Sequence, residues 1–328
     1  MKIRKPCNLE KVYGHTHPIR ETSPEVLFMK AVCARDTETA LTFFRDRKLF
    51  GNVPSAIDTP YGRFEGIAGI RAFAEGFCPR FGAEKAQLVP VIQTIANGRV
   101  CLEAQINFEV SGEIEQVPMF IVADFRTPDT IDEIRIYCHF SFVPDLQAYR
   151  KPMFQSAYLE VGDPGILTGA VREYYEALHH APAVDVDRIL ESMGEGCVFG
   201  GYEPWGSSAS PEATREGLRR TYEGMASYIP RCVGMRFETV IDDGKTCVIK
   251  WQHIVSRAGR EERNRVAMAG IAAYERGADG KLCSIRISDY AGYESTIDWS
   301  KVPNMTKEAA QNLNFVESYP PHVGTKTL

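Results

Sequence analysis

The same order of elements is written into this sequence twice, and that recurrence constrains the fold more than any single motif. In the first half, periodicity and capping signals predict helices over Pro24–Arg35, Thr37–Phe50 and Ile67–Phe77. An extended segment, Val53–Phe64, precedes the third helix. Four β-type segments follow, at Gln87–Ile95, Val100–Val110, Val117–Phe125 and Glu133–Val143. The second half predicts helices over Ile166–His180, Val186–Met193 and Pro211–Tyr228, with an extended segment, Cys197–Tyr202, before the third. Strands are then expected at Cys232–Ile241, Thr246–Ser256, Arg263–Tyr274 and Leu282–Tyr290. Landmarks keep step: Gly62 and Gly206 are 144 residues apart, Cys101 and Cys247 146, Arg135 and Arg286 151. The Gly277–Gly280 loop accounts for the extra residues in the last interval.

The 328 residues suit two domains of ordinary size. The expected boundaries are an N-terminal arm at 1–22, a first domain at 23–145, a linker at 146–164, a second domain at 165–299 and a tail at 300–328. Pro144, Pro152 and Pro164 mark the linker. A net charge of -5 gives no basic footprint for nucleic acid or for an anionic membrane surface. No apolar run approaches the ~18 residues of a membrane-spanning helix. The basic start, MKIRK, is not followed by an apolar core, so no signal peptide is expected. The nine cysteines are scattered without C-x-x-C pairs, which points to a reducing, cytoplasmic setting without disulfides or structural zinc.

Three helices followed by a long meander predict the α+β class. Asn97-Gly98 and Asp242-Asp243-Gly244 are hairpin turn signals. The expectation is two cone-shaped α+β barrel-like domains, each with three helices packed on a curved, mostly antiparallel sheet around an interior cavity. Two groups of residues carry a resemblance. In the first copy they are Ala34-Arg35-Asp36 and the run from Gly62 through Arg63, Phe64, Glu65 and Gly66 to Ile70. In the second they are Tyr174-Tyr175-Glu176-Ala177-Leu178 and Tyr202-Glu203-Pro204-Trp205-Gly206. These segments resemble the nuclear transport factor 2-like superfamily, which includes SnoaL-like polyketide cyclases, ketosteroid isomerases and scytalone dehydratases. The resemblance implies a small hydrophobic ligand and acid–base chemistry without a cofactor or metal. It also implies sheet-to-sheet pairing, which a tandem chain satisfies as an intramolecular pseudo-dimer, with room for further homo-oligomerisation.

Removing a proton beside a carbonyl requires a carboxylate in an apolar cavity and a hydrogen-bond donor for the resulting enolate. By the resemblance, Glu203 stands at the base position and Tyr174 at the oxyanion-binding position. In the first copy Asp58 is the counterpart acid, with Thr59 upsetting the register before Pro60, and Phe28 replaces the tyrosine. The strand acid that some relatives use is missing, since Ile121 and Gly270 fall near its place. His139 and Asp289, on late strands, and His253, mid-strand beside Trp251, are further proton-transfer candidates. Cys138 aligns with Asp289, so His139 and Asp289 occupy opposite strand faces and at most one of them serves. Trp205, Trp251, Tyr202, Tyr61 and Phe28 are candidate substrate-binding aromatics. Each candidate has a structural alternative: Glu203 and Asp58 as turn residues, the aromatics as core, and the histidines as hydrogen-bonded strand residues. His15 and His17 have chelate spacing without a third ligand. No Walker loop, GxGxxG, GxSxG or HExxH is present. Two functional readings follow. One is a cofactor-independent isomerase, dehydratase or cyclase. The other is a non-catalytic binding or assembly module, favoured if side chains fill both interiors.

Overall fold

The computed structural model describes residues 18–44, 54–138, 160–161, 166–178, 184–201, 214–225, 232–256 and 265–291. They fall into two compact units, 18–138 and 160–291. Each unit has three helices and a six-stranded sheet, as the α+β expectation required. No helix among the described residues is long and apolar enough to cross a membrane.

In unit 1, Pro24 opens α1 (Pro24–Cys33), where its missing N–H costs nothing and its φ is already helical. Asp36 caps α2 (Thr37–Leu41) by accepting the Thr39 N–H at 3.0 Å. The helix ends at Leu41 and residues 42–44 turn, short of the expected span, whose last residues, 45–50, lie outside the described residues. The extended segment resolves into a hairpin, β1 (Ala56–Thr59) and β2 (Gly62–Glu65). The Thr59 hydroxyl tightens its turn, accepting the Tyr61 N–H and donating to the Gly62 carbonyl at 2.8 Å. Helix α3 (Gly66–Arg80) follows directly. Strands β3 (Lys85–Ala96), β4 (Arg99–Val110), β5 (Glu113–Thr127) and β6 (Thr130–Tyr137) complete the sheet, in the order β2-β1-β6-β5-β4-β3. Strand β1 runs parallel to β6, and every other pairing is antiparallel. Pro90 cannot donate to a ladder; it sits in the edge strand β3, where the register slips before Ile92.

Unit 2 repeats the plan. Its helices are α4 (Gly169–Leu178), α5 (Val186–Ser192) and α6 (Arg215–Met225). Asp185 caps α5 as Asp36 caps α2, accepting the Arg188 N–H at 3.0 Å. The strands are β7 (Glu160–Val161), β8 (Met193–Gly201), β9 (Cys232–Asp242), β10 (Thr246–Ser256), β11 (Arg265–Arg276) and β12 (Leu282–Ala291). They lie in the order β7-β9-β10-β11-β12-β8. Strand β8 is parallel to β12, as β1 is to β6.

Strand alternation assigns the two faces of each sheet. In β4, Leu102, Ala104, Ile106 and Phe108 join the helical core, while the equally buried Glu103 points away from it. That second face carries a feature common to both units. In unit 1, Asp124 takes Arg99 at 2.8 Å and Arg135. In unit 2, Glu275 takes Arg286 at 2.8 Å. Both the acids and the arginines are 151 residues apart.

Candidate functional site

Phenylalanines fill the core between helices and sheet in unit 1. Phe28 on α1 stacks on Phe73 of α3 with centroids 6.2 Å apart and meets Phe44 edge-on at 5.2 Å. Phe77, Phe81 and Phe108 continue the cluster, the last two stacked at 4.3 Å. None of these rings offers a hydrogen-bond donor.

The matching core of unit 2 is built on tyrosines. Tyr174 stands 146 residues after Phe28, and Tyr222 stands 149 after Phe73. Their rings keep the same neighbourhood, 6.0 Å apart, but here a hydroxyl sits on each. Tyr222 Oη donates to Tyr174 Oη at 3.1 Å. A second buried pair, Tyr175 and Tyr274, joins hydroxyl to hydroxyl at 3.0 Å. Tyr174 links the pairs by packing on Tyr274 at 5.3 Å. All four side chains are buried, and Trp251 packs in the same cluster. Burial, reinforced by the neighbouring phenols, holds Tyr222 and Tyr274 well above the ordinary tyrosine range. These phenols are therefore neutral donors rather than phenolates at any physiological pH.

Beside this cluster lies a cavity of about 720 Å³. Leu190, Met193, Cys197 and Leu218 form its apolar side, and Glu195, Arg215, Asp279 and Lys281 are its charged residues. Leu218 is one helical turn before Tyr222 on α6. Burial raises the Cys197 thiol to about 12, so it stays protonated and behaves as a small apolar group. The fully buried carboxylate among the described residues of unit 2, Glu275, belongs to the opposite sheet face and is held by Arg286.

The predicted residues separate on this frame. Tyr174 and Trp251 reach the unit 2 core. Phe28 reaches the unit 1 core, as packing. Asp58 is buried, but outside the core cluster between helices and sheet. Ile57 takes the core face of β1, and Asp58 turns to the other, where Arg63 Nη1 spans Asp58 Oδ2 and Glu133 Oε1 at 3.2 Å each. Tyr61 packs edge-on against Phe64 with the Arg80 guanidinium 5.2 Å over its ring. Its buried hydroxyl makes no hydrogen bond among the described residues. For His253 the backbone pairs with Met235 and Met268, and for Asp289 with Gly270. Tyr202, Glu203, Trp205 and His139 lie outside the described residues. Sequence reasoning did not single out Tyr222 or Tyr274. The signal available for Tyr222 was its place opposite Phe73 in the third helix of the repeat.

No protein-family model matches the sequence, and no curated protein matches it. Solved structures do match. One is an NTF2-like protein of unknown function from Cytophaga hutchinsonii, 16% identical, covering 38% of this chain and 94% of that one at a TM-score of 0.27. Another is a hypothetical protein with a ketosteroid isomerase-like fold from Catenulispora acidiphila, 17% identical, covering 35% and 86% at a TM-score of 0.30. A de novo designed protein with a curved β-sheet is 18% identical and covers 34% and 92% at a TM-score of 0.25. Each match spans about a third of this chain and most of the other protein.

Proposed function

We propose that unit 2 binds a small hydrophobic molecule carrying a carbonyl or hydroxyl oxygen, and that the pair Glu203 and Tyr174 turns over such a compound through an enol(ate). The observation that carries this reading is the Tyr222–Tyr174 hydroxyl chain, 3.1 Å long, set in an apolar core beside a cavity with one apolar and one charged side. A phenol hydroxyl is both an acceptor and a donor. In a low-dielectric interior, that donation to a developing oxyanion is worth far more than in water. Donation from Tyr222 polarises Tyr174 and makes it the stronger donor.

Glu203 would remove the proton beside the carbonyl, and His253 or Asp289 would return it at the new position. The net reaction is an isomerisation, a dehydration or a cyclisation, with electrons moving within the substrate alone. Trp251 supplies a flat apolar wall. Unit 1, with phenylalanine at the matching positions, serves as the structural partner.

The second reading, a binding module without turnover, draws on the phenylalanine-filled core of unit 1. One experiment separates the two. Wild type, Glu203→Gln and Tyr222→Phe are compared for binding and turnover of steroid- and polyketide-type ketones. The enzyme reading expects Glu203→Gln to bind with turnover reduced at least ~100-fold, and Tyr222→Phe to lose both in part. Binding without turnover in the wild type selects the module. Unchanged turnover in Glu203→Gln removes that residue as base. Absence of binding at unit 2 removes both readings.

A further inference from the structure

Unit 1 holds a second cavity, which the proposed chemistry does not use. It measures about 430 Å³ and lies where the start of α1 meets the β3–β4 and β5–β6 turns. Pro24, Ile95, Val100 and Phe125 give it an apolar wall. Glu25 also lines it, and its side chain is fully buried.

The carboxyl is held from one side only. Ser23 Oγ donates to Glu25 Oε1 at 2.7 Å, and Gln93 Nε2 donates to the same oxygen. Gln93 is fixed in turn, its Oε1 accepting the Arg20 N–H at 2.9 Å. Oε2 meets no donor among the described residues. No ion pair forms with Glu25 among the described residues: the charged neighbours on the cavity lining are the exposed Arg20 and Asp129, and the Arg20 charge acts on the carboxyl only from beyond contact. A buried, oriented acceptor with an empty valence is costly unless something donates to it. Burial accordingly shifts Glu25 upward, towards the neutral acid.

We propose that this cavity binds a small ammonium compound with an apolar body, its N–H group donating to Glu25 Oε2. The cation supplies the donor that Oε2 lacks and a closer counter-charge than Arg20, and the apolar wall takes the rest of the molecule. A carboxylate ligand would meet like charge, and an alcohol would bring the donor without the charge.

The test uses the full chain with benzylamine, benzyl alcohol and benzoate as probes in calorimetric titration. Benzylamine should bind at one site, and the other two at least about tenfold more weakly. Glu25→Gln should weaken benzylamine about tenfold or more, while Tyr222→Phe, in the other unit, should leave it unchanged. Ile95→Trp, which fills the cavity, should abolish binding and decides the matter if Glu25→Gln fails to fold. Benzoate binding as tightly as benzylamine would overturn the proposal. So would a folded Glu25→Gln with wild-type affinity, a response to Tyr222→Phe in place of Glu25→Gln, or no saturable benzylamine binding at millimolar concentration.

Discussion

A phenol in an apolar core must find a partner, and in unit 2 the partners are other phenols. Tyr175 and Tyr274 satisfy each other across 99 residues, and Tyr222 and Tyr174 across 48. Replacing Tyr274 with Phe takes away one partner of the Tyr175 hydroxyl, at a cost of about 1–3 kcal/mol. Replacing both with Phe removes donor and acceptor together. The double variant should then lose less than the sum of the single losses, measured by urea unfolding. Strict additivity would mean that the hydroxyl contact contributes nothing. The pH dependence follows from the raised values of Tyr222 and Tyr274 against an ordinary value of 10.0. In the unfolded chain these phenols ionise near the ordinary value, but folded they stay protonated to higher pH. Their contribution to stability is therefore whole below that value and is lost as pH rises through it and beyond. Absorbance at 295 nm should show these tyrosines ionising only together with the loss of near-ultraviolet circular dichroism. Their titration in the still-folded protein would contradict the burial seen here.

At the scale of elements, the sequence spoke through chemistry that acts locally. Asp36 and Asp185 are short-range caps, and Asn97–Gly98 adopts the positive φ of 52° and 74° that its turn needs. The strand Thr246–Ser256 falls within its predicted bounds. What escaped were features decided by contact. The Ser111–Gly112 turn, with φ of 52° and 78°, carries a weaker signal than Asn-Gly and lengthens β5 backward to Glu113. The extended segment 53–64 hid a hairpin because Pro60 and Tyr61 alone make its turn. The face that Asp58 takes has a related cause: the face of a strand is set by its apolar neighbour, and Ile57 takes the core side. The hydroxyl pairs were illegible because helical periodicity reports burial and says nothing of the partner. The join between β2 and α3 gives a test of contact at this scale. A Cβ on Gly69 would sit 2.8 Å from the Phe64 carbonyl carbon and 3.2 Å from its Cα. Both are backbone atoms, which cannot rotate aside. Gly69→Ala should therefore destabilise by about 1–3 kcal/mol despite the better helix propensity of alanine. A higher melting temperature for that variant would show that propensity outweighs the clash.

Across the whole molecule, the repeat has kept its skeleton and changed its interior. The acid–arginine pair survives in both units at the same interval, on the sheet face turned from the helices. The aromatic core differs between them, and tyrosine at 174 and 222 where unit 1 has Phe28 and Phe73 distinguishes the core that carries hydroxyls from the one built on phenyl rings. Conserving an ion pair in a buried position is not explained by stability alone, because desolvation cancels much of the attraction. Its effect appears when one partner is lost. Glu275 and Arg286 are both fully buried, and Glu275→Gln removes the carboxylate that Arg286 Nη1 meets at 2.8 Å while keeping its contact with Ser284 Oγ at 3.0 Å. That change should cost about 3–5 kcal/mol, since a buried guanidinium has lost a carboxylate partner. Replacing the pair together, Glu275→Leu with Arg286→Met, removes both charges and should cost far less. The two variants compared by urea unfolding decide the matter. A single-variant loss below ~1 kcal/mol would place the pair in contact with water. A double-variant loss as large as the single would show that the face requires the salt bridge itself, for specifying how the sheet is covered, and not merely the absence of an orphaned charge.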